Sequence, residues 1–192
     1  LIRVGVLALQ GSVIEHMHML NAIDNVEPVE VKSNIDLNEI DGIILPGGES
    51  TVIGKLMKDF GLFHALKSRI VDGMPAWGTC AGMILLAKGI VDEEPHLSAM
   101  DIKVRRNAYG RQIDSFSKNA VIPAISPEPI ELIFIRAPWI EAAGDHVDKL
   151  LSIDGHIVAA HQNNMLVTSF HPELTKDLNV HKYYIDMICK VI

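Results

Sequence analysis

The chain has 192 residues, 48% of them hydrophobic and 21% charged, which fits one ordinary globular domain and excludes disorder, collagen-like repeats and coiled coil. Lys plus Arg number 17 against 24 Asp plus Glu, a formal net charge of −7. With no basic run, that balance argues against nucleic acid or an anionic membrane as the main partner, and no apolar stretch approaches the ~20 residues of a membrane span.

Arg3 to Leu9 is a short apolar run closed by Gln10-Gly11. It reads as a buried strand, because it lacks the charged start and small-residue cleavage site of a signal peptide. Val13 to Ile23 has helical spacing, with Val13, Ile14, Met17, Leu20 and Ile23 apolar, and Val26 to Val31 alternates as a strand does. Gly42 to Leu45 is a second buried run ending at Pro46-Gly47-Gly48. A helical pattern then starts at Ser50, with Ser50 or Thr51 as its cap, and another carries Phe63, Leu66 and Ile70 on one face. Met74 to Gly78 is a further strand and Cys80 to Ala87 an apolar helix. Strand and helix alternating at this spacing imply βαβ units, hence a parallel sheet with helices on both faces. From about Asp101 the rhythm changes. Short runs at Ile102–Arg105, Ile130–Ile135, Lys149–Ile153, His156–Ala160 and Met165–Phe170 read as antiparallel additions to that sheet, and a last helix, Val180 to Ile192, turns Tyr184, Ile185, Ile188 and Ile192 inward. The reading is a single domain over 1–192, of α/β class: a three-layer αβα sandwich, flavodoxin-like, with a mixed, mostly parallel sheet.

The sharpest local signal is Trp77-Gly78-Thr79-Cys80-Ala81-Gly82-Met83. A strand ends, a thiol follows, and a helix begins at once, which is the thiol form of a nucleophile elbow. Gly78 and Gly82 let strand and helix approach closely, and the exposed N–H groups at the helix start favour a thiolate. Such a nucleophile needs a base, and the base needs an orienting group. His171 follows an apolar strand directly, in Phe170-His171-Pro172-Glu173, on the edge where open α/β sheets carry their sites, and Glu173 can turn back to one ring nitrogen. Leu45-Pro46-Gly47-Gly48-Glu49-Ser50-Thr51 is the third element. Its paired glycines allow a peptide N–H to point into a cleft, and the N–H groups of Gly48 and Ala81 would together form an oxyanion hole. It is not a phosphate loop, since it lacks the Lys-Ser/Thr ending and Glu49 repels phosphate.

His16 and His18 stand two apart, so on a helix they face different ways and do not form a metal site. Cys189, among Ile185, Ile188 and Ile192, reads as a core or interface residue and inert. Two cysteines without a framework point to a reducing, cytoplasmic compartment.

These elements, in this order, resemble the class I (triad) glutamine amidotransferases, and more closely the family of glutaminase subunits of pyridoxal 5′-phosphate synthase. The matching stretches are Gly5–Gly11, Leu45–Thr51, Trp77–Met83, Arg106–Gln112, Asp114–Phe116, Phe134–Pro138 and Thr168–Thr175, so the likeness spans nearly the whole chain. Gly-Thr-Cys-Ala-Gly and His-Pro-Glu mark the superfamily, whereas Arg-Asn-x-Tyr-Gly-Arg-Gln and Phe-Ile-Arg-Ala-Pro mark the subunit. Asn163-Asn164 stand where the family often has a Gly. The resemblance implies hydrolysis of L-glutamine with Cys80 as nucleophile, His171 as base then acid, and Glu173 as orienter. It implies glutamine held by Gly48, Glu49, Ser50, Arg106, Ile135 and Arg136, in keeping with the need of a free amino acid for a guanidinium at its α-carboxylate and a carboxylate at its amine. It implies no metal or organic cofactor, and a synthase subunit as hetero-oligomeric partner that receives the ammonia. Two other readings stay open: the glutaminase of another ammonia-channelling enzyme such as imidazole glycerol phosphate synthase, against which the Arg106–Gln112 run speaks, and a redox or protein-binding module of the same fold, against which His171-Pro172-Glu173 speaks.

Overall fold

The computed structural model describes residues 1–109 and 115–192; the motif runs Arg106–Gln112 and Asp114–Phe116 reach into 110–114 and to that extent lie outside the described residues. The elements in chain order are β1 (Ile2–Leu7), α1 (Val13–Asn21), β2 (Val26–Val31), α2 (Asn34–Asn38), β3 (Gly42–Leu45), α3 (Ser50–Asp59), α4 (Phe63–Val71), β4 (Ala76–Thr79), α5 (Ala81–Leu86), β5 (Ala87–Ile90), β6 (Met100–Arg105), β7 (Ser115–Ile122), β8 (Ser126–Ile135), β9 (Trp139–Ala143), β10 (Asp148–Ile153), β11 (His156–Gln162), β12 (Met165–Thr168) and α6 (Asn179–Cys189), with a 3₁₀ turn at Pro172–Leu174.

Strands pair in the order β2-β1-β3-β4-β12-β11-β9-β6-β5, with β10 on β11. β2, β1, β3, β4 and β12 run parallel, and β11, β9 and β6 extend the sheet by antiparallel pairing. The two-residue period of the strands sorts their side chains into two cores. Leu7, Ile43, Leu45 and Ala76 join Ile53, Met57, Leu66, Ile70 and Met83 from α3, α4 and α5. Val4, Val6, Ile44 and Trp77 join Leu20 of α1 and Tyr184 and Ile188 of α6 on the other face. The three-layer, mostly parallel architecture expected from the sequence is therefore present.

Four details differ from expectation. β12 lies parallel to β4, so it belongs to the parallel core of the sheet, and the antiparallel additions among the expected runs are β6, β10 and β11. The Ile130–Ile135 run belongs to β8, which pairs with β7 in a separate two-stranded sheet whose Ile122, Ile130, Leu132 and Phe134 cover the α1/α6 face. Ile192 is exposed, because α6 ends at Cys189, and Cys189 is also exposed, which removes the core half of its core-or-interface reading. The cap of α3 is Glu49, without a side-chain hydrogen bond, while the Ser50 hydroxyl is buried with no partner among the described residues. Asn163-Asn164 close the turn between β11 and β12. Asn163 takes a left-handed φ of 54°, which Asn tolerates nearly as Gly does, and the Asn164 amide caps the Ile70 and Met74 carbonyls.

All of α5 is buried, and its first turn presses on the ends of β3 and β4. A side-chain carbon at Gly82 would overlap the Leu45 carbonyl, and one at Gly78 would overlap the Gly82 backbone. Both obstacles are main chain and cannot rotate aside. Gly82→Ala is therefore expected to destabilise the fold by ~1–3 kcal/mol, the usual cost of overpacking, measured by urea unfolding; an unchanged midpoint would contradict this close approach.

Candidate active site

The register of the central strands brings the expected residues together. Thr79 of β4 pairs with Thr168 of β12, and Leu45 of β3 with Gly78. Cys80, His171 and the Gly47-Gly48 turn thus leave three adjacent parallel strands at the same edge. The Cys80 N–H donates to the Thr168 carbonyl at 2.8 Å. Cys80 itself has φ 49° and ψ −102°, outside the regions open to L-residues. Such a conformation costs on the order of 1–3 kcal/mol and persists only where its surroundings enforce it, here the backbone contact of α5 with β3 and β4. The turn aims the thiol away from the helix, 3.9 Å from the Ile135 carbonyl. Cys80 precedes α5, and its carbonyl takes the Met83 N–H at 3.1 Å, which leaves the Ala81 N–H without an intrahelical acceptor.

His171 is buried and fixed at its backbone by an N–H donated to the Ile133 carbonyl at 2.8 Å. Its Nδ1 lies 2.7 Å from Glu173 Oε1, which also accepts the Ser12 hydroxyl at 2.7 Å. Burial opposes a charged imidazole, but hydrogen bonds to Cys80 and Glu173 and the negative charges of both outweigh it and raise His171 to about 10. Burial likewise opposes the Glu173 carboxylate, but the imidazoles of His16 and His171 and the Ser12 hydroxyl hold it at about 2. Thiol, imidazole and carboxylate form one line in which each member stabilises the charged form of the next.

A cleft of ≈ 200 Å³ opens over this line, bounded by Gly48, Ser50, Cys80, Ala81, Ile135 and His171. Glu49, Arg106 and Arg136 complete its rim. Every residue expected at the site from the sequence lines it except Glu173, which stands behind His171. The two guanidiniums are less free than the sequence suggests. Arg106 contacts Glu93 at 3.0 Å and Glu49 at 3.5 Å, and Arg136 lies 3.8 Å from Glu49. The Gly47 carbonyl accepts the Ser12 N–H at 3.0 Å, so the N–H of the same trans peptide, that of Gly48, points the opposite way.

Five contributors were missed. Gln10 accepts the Glu49 N–H at 2.8 Å and packs against Gly48. Ser12 and Glu93 hold Glu173 and Arg106, and His16 and His181 lie buried behind Glu173. Sequence gives no sign of Ser12 or Glu93. The two histidines do leave one: His16 with Leu20 and Ile23, and His181 with Tyr184, Ile185 and Ile188, fall on the inward stripes of their helices. Ile14, read as part of that stripe on α1, is exposed, as is His18, so His16 and His18 do face different ways.

Residues 6–190 match the SNO glutamine amidotransferase family. A pyridoxal 5′-phosphate synthase subunit PdxT of Clostridium botulinum is 58% identical over 99% of both chains, and that of Caldanaerobacter subterraneus is 56% identical over 95% of this chain and 97% of the relative. A crystal structure described as a glutamine amidotransferase superposes with a TM-score of 0.91 at 39% identity, over 97% of this chain and 98% of the other. A chain of PurLQS from Thermotoga maritima, at 16% identity and a TM-score of 0.68, shares the fold.

The electrostatics give a direct expectation. NMR titration should show His171 keeping its proton until about pH 10, and Cys80→Ala should lower that value by removing a hydrogen bond and a charge. The linked stability is complete below the unfolded histidine value of ~6.5 and is lost as pH rises through about 10; that from Glu173 is present above ~4.5 and lost as pH falls through about 2. An ordinary histidine value in both proteins would contradict the coupling.

Proposed function

The chain belongs to the SNO glutamine amidotransferase family, and on that premise we propose that it is the glutaminase subunit of a pyridoxal 5′-phosphate synthase, hydrolysing L-glutamine to L-glutamate and ammonia. The observation that carries the reading is the Cys80–His171–Glu173 line at the floor of the cleft, with Nδ1 of His171 2.7 Å from Glu173. The same contact favours a hydrolase over a binding module of this fold, because a buried carboxylate–imidazole pair beside a strained thiol serves acid–base chemistry.

In the mechanism, glutamine lies in the cleft with its side-chain amide over Cys80 and its α-carboxylate and α-amine toward Arg136, Arg106 and Glu49. The Cys80 thiolate attacks the amide carbon. The N–H groups of Gly48 and Ala81 receive the oxyanion, a contribution of ~3–4 kcal/mol for each well-placed donor. The imidazolium of His171 gives its proton to the departing nitrogen, ammonia leaves, and a glutamyl thioester remains on Cys80. His171, now neutral, takes a proton from water as its oxygen attacks the thioester. Collapse of the second tetrahedral species releases glutamate and regenerates the thiolate–imidazolium pair. Glu173 keeps the ring oriented throughout and stabilises each imidazolium state. No step calls for a metal or an organic cofactor.

The acceptor of the ammonia is a synthase subunit in a hetero-oligomer, and residues 1–192 act as one glutaminase domain. A cytoplasmic setting fits two unpaired cysteines, and among the described residues no helix is long and apolar enough to cross a membrane. Gly47-Gly48 supplies a means of control. Rotating their shared peptide exchanges a donor for a carbonyl in the cleft, at the cost of the Ser12 hydrogen bond. Gln10, tied to the Glu49 N–H and packed on Gly48, transmits to that peptide whatever docks at the end of β1.

Steady-state ammonia release from glutamine, with and without saturating synthase subunit, tests the reading. The isolated chain should be a weak glutaminase, the synthase subunit should raise kcat with less effect on KM, and Cys80→Ala should abolish turnover while leaving the fold intact. Ammonia release that survives Cys80→Ala would overturn the nucleophile, and full activity of the isolated chain would overturn the control.

A further inference from the structure

His16 on α1 and His181 on α6 are both wholly inaccessible to solvent, and no step of the mechanism above uses them. His16 Nδ1 lies 3.0 Å from His181 Nε2, and its Nε2 faces Thr79 Oγ1 at 3.2 Å and Glu173 Oε2 at 3.6 Å. Trp77 packs its ring edge-on to both imidazoles, at 5.4 and 4.8 Å between centroids. The two oxygens of Glu173 differ. Oε1 meets both Ser12 and His171, whereas Oε2 is buried with no hydrogen bond within 3.5 Å among the described residues, so His16 is the group that faces it.

We propose that His16 is a positioning residue for glutamine hydrolysis: His181 fixes its tautomer, and its Nε2–H is aimed at the otherwise unpartnered oxygen of Glu173, setting the plane of the carboxylate that orients His171. This rests on the reading of Cys80, His171 and Glu173 as the catalytic line.

The tautomer follows from counting protons. Burial, the leading cause, lowers both histidines, so each is neutral at pH 7 and carries one N–H. Their shared hydrogen bond holds one proton. If His16 supplied it, His16 Nε2 would be an acceptor, able to take the Thr79 hydroxyl proton but turning no donor to the carboxylate oxygen, and His181 would carry its proton on Nδ1, which has no partner among the described residues. A buried N–H and a buried carboxylate oxygen would both be left unsatisfied, a costly arrangement. If His181 Nε2–H supplies it, His16 carries its proton on Nε2, 3.2 Å from the Thr79 hydroxyl oxygen and 3.6 Å from Glu173 Oε2, and His181 Nδ1 is a bare ring nitrogen rather than an N–H without an acceptor. The second arrangement leaves no imidazole N–H buried without an acceptor and turns a donor toward the carboxylate, so it is the less costly of the two.

The groups that bear on Glu173 are His171 beside it, Ser12 and His16 from the α1 side, His181 behind His16 on α6, and Cys80 through His171; Glu15 acts on His16. Removing the His16 N–H leaves the carboxylate held on one oxygen only. Its torsion loosens, its charge is less well stabilised, and the imidazolium of His171 loses support in turn.

The test exploits geometry. Gln at position 16 puts its amide nitrogen near the place of the imidazole Nε2, whereas Asn reaches only the place of Nδ1. With the full chain and saturating synthase subunit, His16→Leu and His16→Asn should lower kcat about tenfold, as for loss of the one donor that faces a buried charged oxygen, with KM within about twofold. The alkaline limb of the kcat/KM profile should move to lower pH, and His16→Gln should recover most of both. Gln, Asn and Leu variants that behave alike, or an unmoved pH profile beside a lowered Tm, would overturn the assignment and leave His16 a packing residue. Side-chain ¹⁵N NMR of the unaltered protein reads the tautomer without any mutation: Nε2–H at His16 is expected, and Nδ1–H there overturns the arrangement. A wild-type protein that releases no ammonia from glutamine would instead overturn the glutaminase reading, with the tautomer still deciding the placement of the proton.

Discussion

Main chain meets main chain where α5 starts: Gly82 lies against the Leu45 carbonyl and Gly78 against Gly82. Strand β4 cannot end in an ordinary turn under that contact. The chain reverses within one residue, and that residue, Cys80, is driven to φ 49° and ψ −102°. The strain is offset by the burial of all of β4 and α5 in the two cores. Its result is a thiol held at the sheet edge with the first N–H of α5, that of Ala81, beside it. Because β12 lies next to β4 in parallel register, the chain that carries His171 leaves the sheet at the same edge as Cys80. The parallel pairing of strands far apart in the chain is thus what assembles the site.

Behind the thiol the protein arranges charge in depth. Glu173 is buried but carries donors from Ser12 and His171, with the His16–His181 pair on its far side. A buried carboxylate survives in ionised form only when so surrounded, and together with Cys80 it keeps His171 protonated. The cleft rim follows the same logic in a looser form. Arg106 and Arg136 both approach Glu49, and Arg106 also Glu93, at the mouth where water screens the pairs. An incoming amino acid, with one anionic and one cationic group, can exchange partners with such a network at little electrostatic cost.

Much of this was legible in the sequence because it rests on local signals. The βαβ rhythm, the G-x-C-x-G turn and a His at a strand end are each set by neighbours in the chain, and Cys80, His171, Glu173 and Gly48 fall where those signals put them. What was not legible depends on pairing at long range. β5, β7 and β9 carry weak alternation, and nothing local says that β12 pairs with β4 while β7 and β8 leave the main sheet. Ser12 meets Glu173 across 161 residues, and His16 meets His181 across 165. Cys189 reads as a core or interface residue on the strength of its apolar neighbours, yet the helix turns it outward, which leaves the interface reading.

The central claim is that glutamine is cleaved through a thioester on the residue the fold strains. Rapid-quench mass spectrometry of the chain with its synthase subunit and glutamine measures this directly. A glutamyl adduct on the Cys80 peptide, formed and lost at rates consistent with turnover, is the predicted result. Turnover with no such adduct, or with the adduct on Cys189, would contradict it.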